Sequence, residues 1–499
     1  MADLIITLKN MGPIKKGTFK ITPLTIFIGP NNTGKSYAAM LVHCFNETIN
    51  TLYPEVRGYS YDERAFMNER HRIRRPRLSI ETSTKLYDYI LKHMDEGEYY
   101  LPEELANEII DSTIGDLGET FFRHLIDNMK KVYGCEISGL STNDEPLEIK
   151  FEYGNYTFII NYTNSKLTTD FIIPTRKMKF IINKSQKTAI SSSMFGNEII
   201  VSVSLLFLQY LKRSMKRARV NKYPEFIFYE FSNVFNNILS LPSQTSSYYL
   251  PAARSGILSA HKALAAGYVR QLPYVGIKDM QVPLLSGTVA DFLANIIEIR
   301  KRPTEFKREV AFLENQIIQG QIDIVELERF TYPEIHYYLK NDELPLHRTS
   351  SMVQELAPLI LFLKYIVSKR DNIIIEEPES HLHPSAQRKM ARALSRILNS
   401  EVNVLLTTHS DYLLKQIQNL TLLFEVGYEY ARKNKYSKKD MLDINDVSVY
   451  LFDGNKKISS TVISESDMKD SVYESGFSNV IDSLYEESTK LNIKLLRKK

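Results

Sequence analysis

Residues 25–40, TIFIGPNNTGKSYAAM, constrain the fold of this chain more than any other stretch. LTIFIG is a short apolar, β-leaning run, PNNTG carries turn chemistry, and KSYAAMLVHCF holds helix formers. The order predicted is strand, loop, helix. Gly29, four residues, Gly34, Lys35 and Ser36 fit G-x-x-x-x-G-K-[ST], a P-loop whose glycines let backbone N–H groups wrap a phosphate. Gly29, Pro30, Asn31, Asn32, Thr33, Gly34 and Lys35 are the candidate cradle, with Lys35 reaching the β and γ phosphates and Ser36 ligating Mg²⁺. The helix that follows turns its positive N-terminal end toward the anion. The bland alternative is a Gly-Asn turn before a helix, but a chance match in a chain this long is on the order of one in a hundred.

The chain's 499 residues allow a large core and more than one lobe. Lys and Arg number 63 against 59 Asp and Glu, a net charge of +4, so any attraction for nucleic acid must be local. Two cysteines, Cys44 and Cys135, supply neither a disulfide framework nor a paired zinc pattern, which suits a reducing cytoplasm. Cys44 is expected on the helix after the P-loop as a small buried hydrophobe. MADLIITLKNMGPIKKG has no charged leader followed by an apolar core, so a signal peptide is not expected. VSVSLLFLQYL and LAPLILFLKYIV, the longest apolar runs, fall short of the ~20 residues that span a bilayer. The expectation is a soluble, cytoplasmic protein without membrane contact.

A second signal lies far along the chain, in DNIIIEEPESHLHP, residues 371–384. Three isoleucines followed by two glutamates describe a buried strand ending in acid, where a P-loop enzyme keeps carboxylates beside metal and attacking water. Glu376 is the candidate metal group and Glu377 the candidate base for the lytic water. EVNVLLTTHSDYLL is again an apolar run, ending at His409, a candidate γ-phosphate contact; the alternative for that histidine is a cap or surface position. Between these pieces, Leu356, Leu359, Ile360, Leu363, Ile366 and Val367 recur at helical spacing. Ser351 reads as the N-cap with Gln354 at the capping-box position, leaving free N–H groups at Met352 and Val353.

Taken together, GPNNTGKS, SSMVQE, IIIEEPESHLHP and TTHS resemble the ABC-type ATPases of the SMC, Rad50 and RecF group. The likeness is strongest to the ATPase module of OLD-like proteins and of bacterial antiphage systems such as PARIS and Septu. It covers most of residues 1–60, 145–190 and 328–465. It implies an α/β P-loop NTPase of ABC/SMC-head type, with a mixed sheet, an antiparallel β-subdomain and helical insertions. It also implies ATP and Mg²⁺ as cofactors, and two heads that sandwich ATP between the P-loop of one and the signature helix of the other. SMVQ stands where the signature SGGQ is found, so Ser351, Met352 and Gln354 would meet the partner's γ-phosphate. Met352 and Val353 replace both signature glycines, which puts tight closure in question. Glu376 stands for the usual aspartate, a form OLD-like members share. Residues 380–383 would be the loop crossing the dimer interface. His381 and His383, two apart, lack an evident third ligand for a metal. No glutamine follows the strand in SSYYLPAARSG; Arg254 is the candidate polar residue there, reaching either nucleotide or a neighbouring lobe.

LEIKFEYGNYTFIINYTNSKLTTDFIIP alternates and turns like an antiparallel meander. The expected organisation is a head over residues 1–465, with helical insertions at about 58–135 and 257–327, and a helical tail over 466–499. Arg70–Arg77 and Lys212–Lys222 form basic clusters able to track phosphates, or to dock an acidic protein, or simply to face solvent. Past His409, Asp443, Asp446 and Asp453 offer no Asp-x-Asp pair of the kind OLD nucleases carry, and DVSVYLFDGNKKISSTVIS is expected to supply the head's last strands. The resemblance thus implies a homodimer or larger homo-oligomer and a separate effector, nuclease or toxin. The alternative is a DNA-binding ATPase of RecF and Rad50 type.

Overall fold

The computed structural model describes residues 4–52, 79–93, 95–141, 145–173, 177–183, 190–195, 198–209, 213, 245–260, 285–325, 334–340, 342–452, 458–459 and 487–489. The N-terminal part runs β1 (Leu4–Met11), β2 (Ile14–Ile21), β3 (Leu24–Ile28), α1 (Lys35–Leu52), α2 (Ile80–Lys92), β4 (Glu98–Tyr100) and α3 (Glu103–Tyr133). Strands β5 (Leu147–Tyr153), β6 (Tyr156–Thr163), β7 (Lys166–Ile172), β8 (Met178–Asn183), β9 (Ile190–Phe195), β10 (Glu198–Ser204) and β11 (Ser247–Leu250) follow. Next come α4 (Gly287–Ile297), α5 (Lys307–Leu313), β12 (Gln321–Val325), β13 (Glu334–Leu339), β14 (Asp342–Pro345) and α6 (Ser351–Tyr365). The chain continues through β15 (Asn372–Glu376), α7 (Pro384–Leu398), β16 (Asn403–Thr408), α8 (Asp411–Val426), α9 (Tyr428–Lys433), β17 (Val447–Phe452) and β18 (Ile458–Ser459).

The central sheet has the order β11-β15-β16-β3-β17-β18 and is parallel except for β18, which pairs antiparallel with β17. Its strands are apolar on both faces because each face carries its own core. On β3, Leu24, Ile26 and Ile28 enter one cluster and Phe27 the other; on β15, Ile373 and Ile375 point one way and Ile374 the opposite. The period-2 alternation of a strand therefore distributes one apolar run over two layers. Helices α6, α7 and α8 pack on the first face, and α1 on the second.

Beyond α1 lies a five-stranded antiparallel sheet, β2-β1-β5-β6-β7. Leu147, Ile149 and Phe151 of β5, with Tyr156, Phe158 and Ile160 of β6, turn inward at every second position, so the meander read from sequence is present. A third core holds α2 and the four-stranded sheet β4-β8-β10-β9. Helix α3 serves two cores: Ala106, Ile109 and Ile110 lie in the third, whereas Phe121, Leu125 and Met129 lie in that of α1. Asn128 donates to Thr48 Oγ1 (3.0 Å) and the Tyr133 hydroxyl to Tyr37 O (2.7 Å), fastening α3 to α1.

The helical reading of insertion 257–327 needs correction. The run REVAFLENQIIQGQIDIVELERF is not helical throughout: α5 ends in a π turn, Glu314–Ile318, and the chain then enters β12. Gln319 takes a left-handed conformation, the Glu314 carboxylate accepts from Ile322 N (2.9 Å), and Ile322 and Ile324 bury one strand face against β13. Among its described residues, insertion 58–135 consists mainly of α2 and α3, with the short β4 between them. Arg70–Arg77 lie outside the described residues, as do all of Lys212–Lys222 but Arg213 and all of the tail 466–499 but 487–489. Among the described residues, no helix is long and apolar enough to cross a membrane. Cys44 is buried on α1.

Candidate active site

Register brings the sequence signals together. Glu376 pairs with Thr407, Thr407 with Phe27, and Thr408 with Ile28, so β15, β16 and β3 end abreast. Loops leaving the carboxyl ends of adjacent parallel strands converge on one crevice, the usual ligand position in such sheets.

The loop after β3 depends on its glycines. Gly29 has φ 139° and Gly34 φ 103°, both left-handed, and Asn32 joins them at 63°. A Cβ on Gly29 would drive into the carbonyl oxygen of Phe452 on β17, and one on Gly34 would stand 2.5 Å from Ile14 Cγ1. Thr33 Oγ1 donates to Pro30 O (2.9 Å), closing the turn, while Asn31 and Asn32 are exposed. Helix α1 begins at Lys35, so Ser36 sits in its first turn, half-buried. Lys35 is buried, and its ammonium donates to Gly29 O (2.9 Å) and Pro30 O (2.7 Å). Burial lowers its pKa to about 8, against the upward pull of Glu377, Glu379 and Glu376.

Glu376 is buried at the end of β15, where Oε1 accepts from the Tyr249 hydroxyl (2.7 Å) and Oε2 from Ala252 N (3.0 Å). Glu377 is half-buried and has a left-handed backbone, φ 43°, which a non-glycine residue adopts only when its surroundings hold it there. Its N–H donates to Thr407 O (2.9 Å) and its Oε2 accepts from Ser380 Oγ (3.0 Å). Oε1 lies 3.9 Å from His409 Nε2. His409 follows β16; burial, then the charge of Lys35, lowers its pKa below 6.5 while Glu377 raises it. The imidazole is therefore neutral at pH 7.

Glu379, which sequence reasoning passed over, clamps this histidine. Its Oε1 accepts from both Thr408 Oγ1 and His409 N at 2.7 Å, and Oε2 is buried without a hydrogen-bond partner. Burial, with a smaller contribution from Glu377, pushes its carboxyl above the ordinary range despite those two donors. Three carboxylates thus act on one lysine. A bare triphosphate would meet more anion here than Lys35 offsets, whereas the oxygen donors of Ser36 and Glu376 are of the type that suits a hard divalent cation.

The candidate signature helix α6 starts one residue earlier than the sequence suggested. Ser350, not Ser351, is the N-cap, its Oγ accepting weakly from Val353 N at 3.5 Å. Val353 N–H is therefore not free. Gln354 does not reach back to the cap N–H but donates to Thr349 O (2.9 Å). Ser351 is exposed, Met352 is half-buried against the core and Val353 is buried in it, so the valine side chain turns away from any ligand at the helix start. Among the described residues, no hydrogen bond joins the first turn of α6 to the P-loop. Beyond Glu377, His381 is exposed, and His383 caps α7, Nδ1 accepting from Ser385 N (3.3 Å).

Arg254 resolves the alternative left open by the sequence. It is buried beside α6 and the end of β15, paired with Glu355 (Nη2 to Oε1, 2.9 Å), and bonds the carbonyls of Glu355, Pro251, Glu376 and Glu377. These contacts are with neighbouring elements, the second of the two alternatives.

The family model described as the AAA ATPase domain matches residues 5–414. No curated protein matches the chain. Among solved structures, the SMC head domain from Thermotoga maritima is 10% identical over 83% of this chain and 92% of that chain, with a TM-score of 0.29. An Smc head bound to the C-winged helix domain of ScpA is 10% identical over 83% of this chain and 91% of that one, TM-score 0.33. An Smc head with an extended coiled coil, bound to the C-terminal domain of ScpA from Pyrococcus furiosus, is 11% identical over 83% and 92%, TM-score 0.32.

Proposed function

Since this chain belongs to the AAA ATPase domain family over most of its length, and its fold is that of a P-loop NTPase of SMC/ABC type, we propose that it hydrolyses Mg-ATP between paired copies of itself. The observation that carries this reading is an incomplete site. The P-loop, Glu376, Glu377 and His409 assemble at three adjacent strand ends, while α6 packs on the opposite face of the sheet from α1 and, among the described residues, makes no hydrogen bond to the loop. A second copy would supply the exposed Ser351 and the start of its α6.

Within that sandwich each residue has its part. Lys35 leaves its own loop carbonyls for the β and γ phosphates, exchanging two neutral acceptors for charged ones. Ser36 and Glu376 would hold Mg²⁺, which would neutralise the charge that develops on the phosphates. Glu377 takes a proton from the attacking water, and neutral His409 donates to the γ-phosphate. Pairing of heads then reports a trigger and holds or releases a separate effector, a nuclease or toxin, in antiphage defence. Support for that role comes from the likeness of GPNNTGKS, SSMVQE, IIIEEPESHLHP and TTHS to OLD-like modules. The DNA-repair alternative draws on basic clusters outside the described residues, apart from Arg213.

The test is the solution mass of the Glu377→Gln protein by light scattering, with and without Mg-ATP. Nucleotide should trap the pair and raise the mass. A protein that stays monomeric at saturating ATP would overturn the pairing.

A further inference from the structure

A guanidinium has five N–H donors, and Arg254 makes four hydrogen bonds and one ion pair with it, all to protein groups. Nε donates to Glu355 O (3.1 Å), Nη1 to Pro251 O (3.0 Å) and Glu376 O (2.7 Å), and Nη2 to Glu377 O (3.3 Å), while Nη2 also pairs with Glu355 Oε1 as an ion pair at 2.9 Å. Glu355 is as fully engaged. Its Oε1 also accepts from Arg254 N (3.2 Å), and Oε2 from Ser255 N (3.0 Å). Both side chains are sealed from water, at 1% and 0% exposure, so neither can exchange these bonds for solvent.

What these bonds hold is unusual. Two of the five end on the carbonyls of Glu376 and Glu377, the residues flanking the peptide at which the backbone turns into its left-handed conformation. Two others end on Glu355, in α6, one turn beyond Ser351. Arg254 therefore bridges the start of α6 and the strained turn that aims the Glu377 carboxylate. A shift of the α6 N-terminus changes where Glu355 sits. Because Arg254 and Glu355 are buried together and Arg254 also holds the Glu377 carbonyl, the shift passes to that carbonyl or breaks a buried contact.

We infer that Arg254, through Glu355, is a positioning residue: it sets the Glu377 carboxylate for water activation according to whether the start of α6 is engaged. This rests on the ATPase reading above, with Glu377 as the base. It adds that the start of α6 acts on the chemistry of its own chain, in addition to any contact with a partner's phosphate. Arg254 acts through the backbone of Glu377 and not on the reacting atoms.

The experiment compares Arg254→Lys and Glu355→Gln with the parent protein, and repeats both in the Glu377→Gln background. Lysine keeps the charge but offers three donors from a single atom, so it cannot span both carbonyls and Glu355. Glutamine keeps the shape of Glu355 and leaves Arg254 in place. Single-turnover hydrolysis and ATP Kd are read on each. The expected result is a fall in rate of roughly tenfold to a hundredfold with ATP Kd little changed, as for a misplaced catalytic group. In the Glu377→Gln background the same changes should have almost no further effect, because the group they position is already gone. An undiminished rate in Arg254→Lys or Glu355→Gln overturns the inference, as does an equal fold-loss in both backgrounds or a loss of ATP binding that accounts for the rate. Should Arg254→Lys not fold, Glu355→Gln alone decides by the same criteria. A parent protein that does not hydrolyse ATP at all would instead remove the ATPase reading itself, a distinguishable result.

Discussion

Glu377 Oε1 stands 3.9 Å from His409 Nε2; the carboxylate pulls the pKa of Lys35 upward, and the charge of Lys35 pushes that of His409 down. Base, γ-phosphate donor and P-loop lysine are thus parts of one electrostatic unit. Replacing Glu377 by Gln keeps the shape and the Ser380 bond while removing the proton acceptor. The hydrolysis rate should fall by on the order of 10²–10⁴, with ATP Kd changed by less than about threefold. Single-turnover assays with radiolabelled ATP read the first quantity and equilibrium titration the second. A loss of affinity matching the loss of rate would assign Glu377 to binding instead.

His409 makes a pH prediction. Burial first, and then Lys35, holds its pKa below 6.5, so the neutral form is the one present at pH 7. Protonation sets in only as pH falls through that lowered value. The stability that the neutral ring contributes is complete above 6.5 and is lost in the same acid range. The rate at saturating ATP should stay flat from neutral pH down to about 6.5 and then decline. In His409→Gln the rate should be lower throughout, and the part of the decline due to the ring should disappear. An unaltered acid limb in that variant would show that another group titrates.

Lys35 acts at the other end of the scale. In the free protein it has a pKa of about 8, and bound phosphates must raise that value by favouring the charged form. ATP binding above pH 8 should therefore take up a proton, and affinity should weaken as pH rises through 8. Calorimetry in buffers of different ionisation enthalpy reads the proton directly. Lys35→Ala should abolish both the uptake and most of the affinity.

Gly29→Ala tests the loop. The added methyl meets the Phe452 carbonyl, and φ 139° is strained for any L side chain. The loop must shift or β17 must move away from β3, at about 1–3 kcal/mol. A lower thermal midpoint together with lost ATP binding is expected, whereas a fully active variant would mean that the loop has another conformation available.

Asp440 tests the frame behind α7. Its carboxylate is wholly buried between Arg396 (Nε, 2.6 Å) and Arg392 (Nη2, 3.0 Å) of that helix. Burial alone would raise its pKa, but the two arginines and the Ser437 N–H hold it below the usual carboxylate range. Asp440→Asn should cost about 2–3 kcal/mol near neutral pH, since the arginines keep some water. The stabilising effect is full above pH 3.8 and lost as pH falls through the lowered value, so the two proteins should converge in strong acid. Thermal melts across pH check this; a constant difference would place the cost elsewhere.

Much of the site is readable in the chain because its parts are local. GPNNTGKS, IIIEEPE and TTHS each end a strand whose burial on both faces writes an unbroken apolar run. The head's last strands were legible in the same way: β17 and β18 lie where DVSVYLFDGNKKISS placed them. Arg254 and Glu379 were harder. Their meaning depends on register between elements far apart in sequence: Arg254 meets Glu355 and Glu376 only because β11 lies beside β15. The N-cap of α6 was misread by one residue because Thr349, Ser350 and Ser351 are all good caps, and only the backbone angles of Ser350 choose among them. QIDIV is too short for its alternation to outweigh the helical residues before it, and pairing with β13 decides its state.

Helix α3 spans 31 residues, about 46 Å at the helical rise. One end is bolted to α1, whose first turn carries Lys35, and the other lies in the core of the outlying four-stranded sheet. The geometry is that of a pointer on a dial. A tilt of about 5° at the α1 end swings the far end by about 4 Å, so a rearrangement too small to see around one lysine would be legible as a displacement of a whole layer at the molecule's edge.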